Sequence, residues 1–94
     1  MTNILRASAG GMTEQESLSG PESYPTGGFS VRSNLGRVNN VIVDGDSDTY
    51  EYEASSIDDN NAFVVQAWDR SDGTEAGAGT DLSEETVTYS AARL

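Results

Sequence analysis

Thr49-Tyr50-Glu51-Tyr52-Glu53-Ala54 alternates ring and carboxylate, the clearest period of two in the 94-residue chain. That period belongs to a strand with one face on a core and the other in water. A polar reversal follows at Asp58-Asp59-Asn60-Asn61, and Ala62 to Trp68 then sets Phe63, Val65 and Ala67 on one side with Val64 and Trp68 on the other. A strand apolar on both faces belongs at a sheet centre or against another subunit.

Working outward, Arg37 to Val43 predicts a strand whose β-branched run Val41-Ile42-Val43 is buried on both sides. It leads into the turn Asp44-Gly45-Asp46-Ser47-Asp48. Phe29 to Arg32 alternates as a short strand after the turn Tyr24-Pro25-Thr26-Gly27-Gly28, where proline sets φ and the glycines admit conformations closed to other residues. Downstream, Arg70 to Thr80 reads as a long glycine-containing loop that is mobile or contacts something. Glu84 to Ala92 closes the series, with Val87, Tyr89 and Ala91 on one face and Thr86, Thr88 and Ser90 on the other. Residues 7–23 have no sustained period and are expected to form a flexible arm, with a brief edge strand at 2–6. The expectation is an all-β chain: a small antiparallel β-sandwich or barrel of five to six short strands over residues 24–94, preceded by a flexible N-terminal arm at 1–23.

Composition narrows what such a domain can do. The chain has 16 carboxylates, no histidine, no cysteine and only five cations, all arginine, for a net charge of -11. Repulsion on that scale opposes compaction in dilute buffer. It fades in molar salt, where the Debye length is about 3 Å, so the balance reads as adaptation to a salty compartment. Leu, Ile, Val and Phe number only 17, about 18% of the chain and below the ~20% under which a highly charged chain is expected to be disordered. A core so thin needs support, and without cysteine that support is expected from association with partner subunits. No stretch has the length of a membrane span or a signal-peptide core, so the chain is expected to be made and assembled inside a cell, with no membrane contact.

The candidate chemistry is sparse. Asp44, Asp46 and Asp48 have the alternation that hard cations favour, but an EF-hand would need glycine where Thr49 stands and glutamate where Ser55 stands. They are a weak cation candidate, and a solvated hairpin turn explains them better. Asp58 and Asp59 are adjacent turn residues rather than an acid/base pair. The serines have no histidine or lysine to activate them, and Gly73, Gly77 and Gly79 precede no phosphate-loop lysine. Neither an enzyme nor a cofactor is expected. The charge also opposes nucleic-acid binding, although a chain this acidic could imitate DNA.

Tyr24-Pro25-Thr26-Gly27-Gly28, Val31, Leu35-Gly36 with Val38 and Val41, and Asp81-Leu82-Ser83 leading into Thr86-Val87 resemble a group of small structural proteins of tailed phages, of about this size and encoded in head gene clusters beside the major capsid protein. The resemblance spans about residues 20–92 and implies a capsid decoration, turret or head-fibre subunit of the virion, assembled with copies of itself and contacting the major capsid protein or neighbouring virion proteins. Residues 7–19 depart from the group in lacking the pattern of the strand that precedes the Tyr-Pro-Thr-Gly-Gly turn. The chain is also more acidic than the group, which points to a virus of a salt-loving host. On this view Val41, Ile42, Val43, Phe63, Val65, Val87 and Tyr89 supply the core, and Tyr50, Tyr52, Val64 and Trp68 are buried between subunits. The alternatives are a receptor- or glycan-binding module of a virion appendage that uses the 70–80 loop, and an acidic DNA-mimic inhibitor.

Overall fold

Six strands build the chain in a computed structural model that describes residues 12–58 and 61–93. They are β1 (Met12–Ser19), β2 (Phe29–Arg32), β3 (Asn40–Gly45), β4 (Tyr50–Asp58), β5 (Ala62–Asp69) and β6 (Thr86–Arg93). Two three-stranded antiparallel sheets result, ordered β1-β6-β3 and β2-β5-β4. The fold is all-β, a small sandwich with β6 at the centre of one layer and β5 at the centre of the other.

The central strands supply the core because their alternation is the most apolar. Phe63, Val65 and Ala67 of β5 and Val87, Tyr89 and Ala91 of β6 are buried in one cluster. Phe63 and Tyr89 meet edge to face, with ring centroids 5.0 Å apart, the arrangement that a ring quadrupole favours. The Val and Phe side chains withdrawn from water here contribute about 1.5–3 kcal/mol each. Tyr52 joins them from β4, and Tyr24, Leu35, Val38, Ala76 and Leu82 join from the connections. The loops therefore complete a core that the strands alone leave thin.

Glycine lets the layers close at two points. A Cβ on Gly45 of β3 would stand 2.6 Å from the Tyr52 ring, so the sheets approach there only because a side chain is missing. Gly28 has φ of 111°, and a Cβ there would lie 2.6 Å from both Val64 Cγ1 and Val65 O. The Tyr24–Gly28 turn thus needs glycine for its left-handed backbone and for its approach to β5.

Two expectations need correction, and a third, the 70–80 loop that is mobile or contacts something, resolves to contact. Residues 12–19 are not an arm: β1 pairs with β6 from Met12↔Arg93 to Ser19↔Thr86, so the strand expected to be missing before the Tyr24–Gly28 turn is present. Its neighbours at residues 20–24 are tied to residues 79–85, with Gly79 N–H donating to Tyr24 O and Leu82 N–H to Pro21 O, both at 2.8 Å. Val41 to Val43 is not buried on both sides, because β3 is a sheet edge: Val41 and Val43 pack on the core while Ile42 is 66% exposed. The Arg70–Thr80 segment folds back on β5, with Ala76 N–H donating to Ala67 O at 2.9 Å and a bridge from Trp68 to Glu75. The edge strand expected at residues 2–6, the start of the arm, and Asp59 with Asn60 lie outside the described residues.

Candidate functional site

Apart from Trp68 Nε1, the buried side-chain polar atoms of the described residues are occupied by the fold itself. Three core tyrosines each donate to a glutamate from a different part of the chain: Tyr24 to Glu75 at 2.7 Å, Tyr52 to Glu85 at 3.1 Å and Tyr89 to Glu14 at 2.7 Å. Each pair carries an aromatic ring into the core and ties its polar end to a connection or edge strand. Burial, reinforced by the adjacent carboxylate, pushes Tyr24 up to about 12 and moves Tyr52 and Tyr89 well above the ordinary tyrosine range. Glu14 shows the opposite balance. Burial raises its carboxyl, but the bonds from Tyr89, Ser33 and Asn34 outweigh that and leave it below the ordinary glutamate value.

Acidic residues elsewhere are consumed in turns. Asp69, Asp72 and Asp81 each accept from the backbone N–H and hydroxyl of the Ser or Thr two residues on, the Asx turn that suits short acidic side chains to reversals. In the 44–49 turn Asp44 accepts from Gly45 N–H, and the Ser47 hydroxyl accepts from Thr49 and Tyr50 N–H. Asp44, Asp46 and Asp48 are all exposed, and no cluster able to hold a metal ion forms among the described residues.

The four residues expected between subunits do not form one patch. Tyr52 is 4% exposed and belongs to the core, so it is already buried within the monomer. Tyr50 shares its face and packs partly on the core. Val64 and Trp68, half-buried, alternate with the buried Phe63, Val65 and Ala67, and so stand on the outer face of β2-β5-β4. Trp68 Nε1 is shielded there with no partner among the described residues.

The outer face of the other sheet is distinctive in so acidic a molecule. Register places Thr13, Ala92 and Asn40 in one cross-strand row, Gln15, Ser90 and Ile42 in the next, and Ser17, Thr88 and Asp44 in a third. Only the last row carries a charge. Ser17 Oγ and Thr88 Oγ1 lie 2.9 Å apart, and a trough of about 440 Å³ runs beneath Ile42, flanked by Gln15, Ser90 and Thr88. Charge gathers at one end of this face. Asp44 and Asp46 line the trough there; at the other end Asn39 N–H donates to Ala92 O, and Arg93 follows the core-side alternation of Tyr89 and Ala91. Hydroxyls that both donate and accept, with one exposed aliphatic side chain among them, suit association rather than bond-breaking chemistry.

Sequence reasoning missed this face because one third of it comes from β1. The available signal was the outward alternation Thr13, Gln15, Ser17 and Ser19, obscured by Glu14 and Glu16 on the opposite side. No family model matches the chain, and neither a curated protein nor a solved structure is significantly similar to it.

Proposed function

We propose that this chain is a non-enzymatic structural subunit of a tailed-virus particle, a capsid decoration or turret protein that works as a homo-oligomer in a high-salt setting. One observation carries the reading: several of the residues behind the resemblance to phage head proteins lie in the core of this fold. Tyr24, Leu35, Val38, Leu82 and Val87 are all buried. Gly28 has the left-handed backbone of its turn and lies against Val64 and Val65. The likeness therefore falls in part on architecture, alongside exposed turn residues such as Pro25, Gly27 and Asp81. A thin core, an outward Ile42 and a partly outward Val64 and Trp68 further suit a subunit that association completes.

The test is gel analysis of purified virions from cells expressing the chain. A band at its 9.9 kDa mass, in fixed ratio to the capsid protein, is expected. Presence in infected-cell lysate with absence from washed particles would refute the reading and favour a soluble acidic inhibitor.

A further inference from the structure

We propose that residues 2–6, Thr2-Asn3-Ile4-Leu5-Arg6, add to the open edge of β3 in the same chain as a short antiparallel strand and close the cleft between β3 and β4. The segment lies outside the described residues, and what it covers lies inside them. Ile57 pairs with Phe63 and so turns to the core side of its sheet, yet it is 42% exposed. It lines a cleft of about 310 Å³ with Asn40, Val41, Ala54, Ser55 and Ser56, where the edge strands β3 and β4 of the two sheets come together. Ile42, 66% exposed, stands on the outer side of the same β3 edge. Among the described residues these two are the exposed large hydrophobic side chains, and both border one strand edge.

Chain path and charge choose the occupant. Met12 pairs with Arg93 beside the row Thr13, Ala92 and Asn40, so the residues before Met12 leave the sheet at the Asn40 end of β3. A segment entering from that end runs antiparallel to β3. From β1 to a position beyond β3 is three strand spacings, about 14 Å, and the link from Arg6 to Met12 spans up to about 20 Å. Ala7-Ser8-Ala9-Gly10-Gly11 gives that link small, permissive residues. All 16 carboxylates lie from Glu14 onward, so residues 2–6, charged only at Arg6, are a stretch that the acidic body does not repel.

Periodicity then fixes the register. With Arg6 opposite Asn40, Leu5 falls opposite Val41 and enters the cleft toward Ile57, while Ile4 falls opposite Ile42 on the outer face. Apolar cross-strand pairs form on both sides of the sheet. A slip of one residue in one direction faces Ile42 with Asn3, and in the other it drives Arg6 into the cleft. The added strand also guards an edge that has neither a bulge nor an inward charge. It takes Ile42 out of water within one chain and leaves Val64 and Trp68 of the other sheet for subunit contact, and it is independent of the virion assignment.

Disulfide trapping tests the register, because the chain has no cysteine of its own. The measurement is made in about 1 M KCl at about 1 μM protein, far below the millimolar effective concentration of a tethered segment. Ile4→Cys with Ile42→Cys should oxidise to an internal disulfide, since directly opposite residues have nearly the Cβ separation that the bond requires. Ile4→Cys with Ser17→Cys is the control: Ser17 is exposed on β1 and within the tether's reach, so an undocked segment finds either site. The Ile42 pair should close at least about tenfold faster. In the cysteine-free chain, Leu5→Glu should speed hydrogen exchange at least about tenfold at the β3 amides turned away from β6, with the far-UV spectrum unchanged. Equal closing rates overturn the proposal, as do β3 amides indifferent to Leu5→Glu. Disulfide-linked dimers in place of the internal bond overturn closure within one chain.

Discussion

Glu14 concentrates the problem that an acidic chain solves with a thin core. Its carboxylate stands on the inner side of β1, where an apolar residue would be expected, and accepts from Tyr89 O–H at 2.7 Å, Ser33 O–H at 2.8 Å and Asn34 N–H at 3.1 Å. Ser33, 3% exposed, also accepts from Leu35 N–H at 2.9 Å, so one carboxylate joins an edge strand, the central strand and the 33–35 turn. Because its folded pKa lies below the unfolded value of about 4.3, the folded state holds this proton less tightly. Its stabilisation is complete above that pH and is lost as pH falls through the folded pKa. Glu14→Gln should therefore cost about 1–2 kcal/mol near neutrality, discounted for partial solvent contact. The gap in Tm between variant and wild type should shrink toward zero below about pH 4. Thermal melts from pH 7 down to pH 3 measure it, and a gap that widens on acidification would refute this account of Glu14.

At the scale of the strand, the four sheet edges are guarded in different ways. β1 turns Glu14 and Glu16 toward the side that meets the core, and inward charge discourages a foreign strand from adding to that edge. β4 breaks register between Ala54 and Ser56, a bulge that twists an edge away from pairing. β2 is only four residues long. β3 is the least guarded, since it alternates Val41 and Val43 inward with Ile42 outward and has no bulge. β1 also covers one side of β6, so deleting residues 2–20 should abolish cooperative folding rather than merely weaken assembly. Far-UV circular dichroism and the Trp68 emission maximum of the truncated chain decide this, and a wild-type melt would show β1 to be dispensable.

For the molecule as a whole, electrostatics and packing pull in opposite directions. Net charge of -11 on 94 residues opposes compaction, and the core set against it is built largely from alanine, valine and tyrosine, with few large aliphatic groups. Arg32 reaches Asn61 Oδ1 at 2.8 Å. Screening should therefore stabilise the fold: at low ionic strength the isolated chain should be partly unfolded, and β-structure should grow toward about 1 M KCl as the Debye length falls to about 3 Å. A sharp, concentration-independent melt at about 50 mM salt would show that the core alone suffices.

Alternation alone determined the all-β class and placed the β2, β4, β5 and β6 segments, because a period of two is a local property that Tyr50, Tyr52, Phe63, Val65, Val87 and Tyr89 carry in their own order. Composition determined the absence of thiol and imidazole chemistry. Only the tertiary structure decided that residues 12–19 are a strand, since Glu14 becomes an inward residue only when Tyr89 and Ser33 arrive to donate to it. Only packing decided that Ile42 faces water while Tyr52 fills the core. Edge or centre is a property of neighbours, and a run of β-branched residues reads the same in either place until a second strand covers it or leaves it open.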